Sequence, residues 1–99
     1  MAGLKPAFEK EGSVTAANSS KLNDGAAALV LTTAEEAKRR GLRPIARLVA
    51  QASFAQEPEW YSTAPVAAIR KVLDRAGLAV GDVDLFEINE AFAVVTMAA

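Results

Sequence analysis

The chain has 99 residues, of which 52% are hydrophobic and 22 are alanine, and its formal net charge is −1. This length suits one small domain, the interspersed charges argue against a nucleic-acid-binding patch, and no apolar run approaches the ~20 residues of a membrane span. Neither cysteine nor histidine is present, which excludes disulfides, thiolate metal sites and the commonest general base.

The N-terminal third of the chain is predicted to be a loop followed by a strand. Residues 1–21 are small and polar, have no signal-peptide core, and include the turn and cap formers Asn18, Ser19 and Ser20. The run AALVLTT, residues 27–33, is short, apolar and partly β-branched, which favours a buried strand.

A compact helix is predicted after that strand. Thr33 and Glu36 have the spacing of a capping box, acids precede bases along the segment, and Gly41 stands where the helix should end. In residues 43–54, Ile45, Arg47 and Val49 alternate with Ala46, Leu48 and Ala50. This alternation predicts a second strand. Residues 55–63 are predicted to be a loop that places its aromatic side chains at the edge of a core or at an interface.

The clearest helix is predicted over residues 64–77, with a proline in its first turn and a glycine at its end. Its apolar face consists of Val66, Ile69, Val72, Leu73 and Ala76. Residues 85–88 predict a third strand, and residues 89–99 predict the start of another helix without a stop signal. The order is an α/β alternation of about three strands with helices, and both chain ends look cut. We expect about 60–65% of the unfolded surface to be buried.

The pair Asn89–Glu90 stands where the third predicted strand meets the last predicted helix, at the sheet edge where α/β proteins bind ligands. Asn89 can be a helix N-cap and Glu90 a partner of the helix dipole, which accounts for both residues without any chemistry. Alternatively, the Asn89 carboxamide donates a hydrogen bond to a water or an oxyanion, as fixed dipoles do in acyl transfer. The sequence leaves both interpretations open.

A second stretch of interest is SVTAANSSKLNDGAAA, residues 13–28. Small residues let a ligand approach the backbone, although a flexible surface connection with a helix cap has the same composition. The glycine spacing of a phosphate-binding loop is absent. The remaining acids have no histidine or cysteine near them, so we expect no metal site.

Two motifs together resemble the thiolase family, the acetyl-CoA C-acetyltransferases and 3-ketoacyl-CoA thiolases. These motifs are VTAANSS followed by NDGAAAL in residues 14–29, and DLFEI followed by NEAFA in residues 84–93. The resemblance is collinear over essentially the whole chain. It implies an internal fragment of a fold that pairs two similar halves in layered α/β/α/β/α order. Residues 1–21 would end the loop domain that covers coenzyme A, residues 22–44 would end the first half, and residues 45–99 would open the second.

The resemblance also implies an activity and a division of roles. Thiolases make or cleave 3-ketoacyl-CoA by Claisen condensation or thiolysis, using two cysteines and a histidine that this chain lacks, so the fragment alone should be inactive. Asn89 matches the asparagine that holds a water in the oxyanion hole. Phe92 matches a residue near the substrate, and Ala16 and Ser20 match contacts to the pantetheine arm of coenzyme A.

Partners and location follow from the same resemblance. We expect a coenzyme A thioester as substrate, no covalently bound cofactor, no nucleic acid or membrane partner, and a homodimeric or homotetrameric parent. Cytoplasmic location is expected, with mitochondria or peroxisomes for a eukaryotic source. Lys21 replaces a common glycine and STAP, residues 62–65, replaces GTGP, which bears on substrate preference. A non-catalytic coenzyme A-binding or dimer-contact module is the alternative. The paired motifs argue against a ketoacyl synthase relative.

Overall fold

The computed structural model describes residues 3–99, and its regular elements within that range are all helical. Helix α1 spans Ala34–Arg39, α2 spans Ala64–Ala76 and α3 spans Ala93–Ala98. Two short 3-10 turns lie at Pro58–Thr63 and Val80–Asp82. No helix in this part of the chain is long and apolar enough to cross a bilayer.

Helix α1 begins and ends where its sequence predicts. The Thr33 hydroxyl accepts a hydrogen bond from the Glu36 amide at 3.2 Å, which satisfies one free donor of the first turn. Gly41, just past the helix, has a positive φ of 64° that suits a residue without a side chain. The Glu36 carboxylate accepts two bonds of 2.6 Å from Arg39 and another from Arg40, and these arginines lower the pKa of Glu36.

Helix α2 also confirms its prediction. The five residues of its apolar face are half-buried, and Gly77 ends the helix in the left-handed conformation, with a φ of 68°. On the exposed face, Lys71 Nζ donates to the Ser53 carbonyl at 3.2 Å and Arg75 Nη1 donates to the Gln51 carbonyl at 2.8 Å. These two cations hold the predicted second strand beside the helix.

The three predicted strands are not confirmed, because residues 3–99 contain no β-strand. Residues 27–32, 43–54 and 85–88 form no hydrogen bond from main chain to main chain with any described residue. A strand needs a neighbouring strand whose carbonyls accept from its amides and whose amides donate to its carbonyls, and these segments have no such strand within the described chain. Their apolar side chains are exposed accordingly, with Val30 at 93% and Ile45 at 101%.

The predicted extent of burial is also wrong. The chain exposes 9164 Å², whereas a compact protein of 10.4 kDa exposes about 5,400 Å². Its radius of gyration is 18.4 Å, against about 13 Å for a compact domain of this length. Only Ala37 and Val95 are buried apolar residues in the described part of the chain. Without paired strands, the apolar segments have no layer to pack against.

Helix α3 begins later than the sequence predicts. Its N-cap is Phe92, whose side chain makes no capping bond, and the Asn89 carbonyl instead accepts from the Ala91 amide at 3.0 Å. The interpretations of Asn89 as N-cap and of Glu90 as a first-turn acid are therefore wrong. The cause is that Phe92 is held extended, with φ −139° and ψ 152°, in an antiparallel bridge to Ser19.

Candidate functional site

The bridge between Ser19 and Phe92 joins the two stretches that the sequence singled out. The Ser20 amide donates to the Ala91 carbonyl and the Ala93 amide donates to the Asn18 carbonyl, both at 3.0 Å. The pairing uses only main-chain atoms, so the Ser20 side chain remains exposed. It brings Ser20 and Phe92 next to each other, although they are far apart in the sequence.

The loop before the bridge is closed by its own side chains. Asn18 Oδ1 accepts from the Thr15 amide at 2.7 Å, and Asn18 Nδ2 donates to the Ser13 carbonyl at 3.0 Å. The Ser19 hydroxyl donates to the Thr15 carbonyl at 2.7 Å. These bonds leave Ala16 exposed at the outside of the turn. The predicted surface connection is thus an ordered turn.

Phe92 is the centre of an aromatic cluster built from three segments. Its ring centroid lies 6.1 Å from that of Phe8 and 6.4 Å from that of Tyr61, with both pairs in edge-to-face geometry. Sequence reasoning missed Phe8, because a lone aromatic in a polar loop has no periodic pattern. It assigned Tyr61 to a core edge or an interface. The cluster fixes the half-buried Phe92 ring beside the loop and the 3-10 turn.

Asn89 lies in the wall of an open cleft of about 380 Å³ between α2 and the approach to α3. The lining residues are Tyr61, Pro65, Ala68, Ile69, Glu87, Ile88, Asn89, Ala91 and Val95. Most are apolar, so a carboxamide here is a polar group set in a largely apolar wall. Asn89 is exposed, and its carboxamide does not cap the helix, so the carboxamide can meet a ligand.

The predicted site residues are only partly assembled. Asn89 lines the cleft, while Ser20 and Phe92 adjoin it through the bridge, and Ala16 lies on the turn outside its wall. A larger cavity of about 810 Å³, lined by Phe54, Arg70, Lys71 and Asp74 among others, contains none of the predicted residues. No cluster within residues 3–99 has the three or more ligands that a metal ion needs.

This arrangement offers one amide dipole and an apolar wall, but no nucleophile or base of the cysteine–histidine type. The Asn89 carboxamide can donate two hydrogen bonds and accept two. It is therefore suited to orienting a water or stabilising negative charge on an oxygen, and not to breaking a bond by itself.

Comparison with known families agrees with the motifs. The sequence-family model of the thiolase C-terminal domain matches residues 42–99, and that of the thiolase N-terminal domain matches residues 1–35. The chain belongs to the thiolase family.

Individual relatives sharpen this assignment. The acetyl-CoA acetyltransferase of Shinella zoogloeoides is 55% identical over 93 residues, which cover 94% of this chain and 24% of the relative. The crystal structure of the Bacillus anthracis acetyl-CoA acetyltransferase is similar with a TM-score of 0.93 and 52% identity. Human mitochondrial 3-ketoacyl-CoA thiolase in complex with CoA gives a TM-score of 0.93 at 39% identity. Both structural matches cover 98% of this chain and 25% of the other.

The chain thus spans about a quarter of the length of the relatives it matches. The structural match covers nearly all 99 residues, including the exposed segments that were predicted as strands. Their course is therefore that of the corresponding part of a thiolase, although they pair with no other strand among the described residues. The predicted membership of a thiolase-fold fragment is confirmed.

Proposed function

We propose that this chain forms part of an acyltransferase that makes or cleaves 3-ketoacyl-CoA by Claisen condensation or thiolysis. The observation that carries the proposal is the main-chain bridge that sets the loop of Ala16 and Ser20 beside the segment of Asn89 and Phe92. The names of the acetyl-CoA acetyltransferase relatives support the reaction, and the human structure in complex with CoA supports the ligand.

Each predicted site residue has a role in this proposal. Asn89 holds the water of the oxyanion hole, and its place in an open, mostly apolar cleft supports that role. Ser20 and Ala16 contact the pantetheine arm, which is consistent with their exposure on an ordered turn. Phe92 lies against the substrate, supported by the ring geometry of its aromatic cluster.

The domain organisation is proposed on the same basis. Residues 1–21 end the loop domain that covers coenzyme A, residues 22–44 end the first half, and residues 45–99 open the second half of a layered α/β/α/β/α fold. The change from the N-terminal to the C-terminal family model falls between residues 35 and 42, close to the proposed boundary. A homodimeric or homotetrameric assembly is proposed, located in the cytoplasm or, as for the human relative, in mitochondria.

A chimera tests the proposed activity. In it, this chain replaces the matching quarter of the Shinella acetyl-CoA acetyltransferase, and thiolysis of acetoacetyl-CoA is measured from the loss of absorbance of the substrate. We expect turnover within about tenfold of the parent enzyme, a barrier change of about 1.4 kcal/mol or less. A folded chimera without turnover would contradict the proposal.

The isolated 99-residue chain is expected to show no thiolysis above background, because it contains no cysteine and no histidine. The same purified sample distinguishes the alternative of a non-catalytic coenzyme A-binding module. That alternative requires calorimetric binding of coenzyme A to the isolated chain. Turnover by the isolated chain would contradict both the expected inactivity and the non-catalytic alternative.

A further inference from the structure

We propose that Asn18 is a positioning residue, whose carboxamide sets the loop of residues 13–19 in register with the Asn89–Phe92 segment. The inference rests on the proposed function, since the loop is the one assigned to coenzyme A. Asn18 itself is not placed against the ligand. Its effect passes through the hydrogen bonds of its side chain within the turn and of its main-chain carbonyl to the Ala93 amide.

Asn18 is the one residue of this loop that forms hydrogen bonds both within the turn and to the start of α3. Its carboxamide accepts from the Thr15 amide at 2.7 Å and donates to the Ser13 carbonyl at 3.0 Å. Its main-chain carbonyl accepts from the Ala93 amide at 3.0 Å, at the start of α3. The side chain therefore shapes the turn, and the backbone of the same residue joins that turn to the cleft segment.

Few other side chains can replace this carboxamide. The turn needs an acceptor toward Thr15 and a donor toward Ser13 at the same distance from the backbone, and asparagine supplies both. Aspartate keeps the acceptor but directs a carboxylate at the Ser13 carbonyl, and alanine has neither group. The bond to the Thr15 amide is partly buried, so water replaces it only in part, whereas the bond to the Ser13 carbonyl is exposed.

Loss of the Asn18 carboxamide should affect the binding of coenzyme A more than the chemical step. If the turn opens, Ala16 and Ser20 lose their fixed positions, while Asn89 keeps its own turn through the Asn89 carbonyl and the Ala91 amide. Asn18→Ala in the chimera should therefore raise the KM for coenzyme A about 10- to 30-fold, from two lost bonds at about 1 kcal/mol each, with kcat within threefold. Asn18→Asp should raise KM about fivefold, from one lost bond.

The matched control is Ser13→Ala. Ser13 contributes only its main-chain carbonyl to this bond, so the variant should keep the KM of the unmodified chimera. Amide hydrogen exchange supplies a readout besides activity. Asn18→Ala should speed exchange at Ser20 and Ala93, whose amides form the bridge. If the alanine variant does not fold, the same exchange measurement is made on Asn18→Asp.

The outcomes separate the two proposals. A KM within twofold of the unmodified chimera for Asn18→Asp, with Ser20 and Ala93 still protected, would overturn the positioning role. A fall in kcat at constant KM would overturn it as well, because loop misplacement affects coenzyme A binding first. If the unmodified chimera folds but has no turnover, the proposed function fails, and faster exchange at Ser20 and Ala93 alone then sustains the role of Asn18.

Discussion

Replacing Asn89 by alanine in the chimera is expected to lower kcat for thiolysis by about 10²–10³, or about 3–4 kcal/mol of transition-state stabilisation. The carboxamide does not cap α3, so the loss reflects the cleft and not the helix. An interaction made mainly in the transition state affects kcat and kcat/KM alike, so KM should change little.

Two variants make this prediction specific. Asn89→Asp keeps the shape and the acceptor but removes the donors, so it should lose about as much activity as alanine if the carboxamide donates to the water or oxyanion. Gln51→Ala removes an exposed carboxamide outside the cleft lining, and its kcat should stay within twofold. Full activity of Asn89→Ala would leave no catalytic role for this residue.

The isolated 99-residue chain is expected to unfold without a single cooperative transition. It exposes roughly 1.7 times the surface of a compact protein of its mass, and only two apolar residues of the described part are buried. Cooperativity depends on a shared core, and the unpaired segments contribute no fully buried residue to one. The chain should also bind ANS, because large apolar side chains such as Ile45 are exposed.

Calorimetry and circular dichroism measure this directly. A compact domain of about 100 residues absorbs about 60–80 kcal/mol at its transition, whereas the isolated chain should give a broad, shallow change. The chimera should restore a sharp transition, since it supplies the missing strand neighbours. A sharp two-state transition of the monomeric chain, with an enthalpy in that range, would show that the 99 residues form a core of their own.

Local features of the fold were predictable from the sequence, because their causes lie within a few residues. Thr33 caps α1 through an amide three positions away, and Gly77 ends α2 because it accepts a positive φ without steric cost. The apolar spacing along α2 likewise fixed which face is half-buried. These interactions need no knowledge of the remainder of the molecule.

The failures all involve partners that are distant in sequence. Residues 43–54 have the pattern of a strand, but a pattern does not supply the neighbour that a strand requires. Asparagine is a favoured N-cap residue, yet pairing with residues 18–20 keeps Phe92 extended, so α3 begins only at Ala93 and not after Asn89. The aromatic contact of Phe8 with Phe92 was unpredictable for the same reason.

The main-chain character of the bridge affects how this site can diverge. Because the pairing uses the amides of Ser20 and Ala93 and no side-chain atom, the side chains at positions 20 and 92 can change without loss of the pairing itself. Substrate preference can therefore drift by mutation while the alignment of the two segments persists. Proline is the exception at positions 20 and 93, because it has no amide hydrogen to donate.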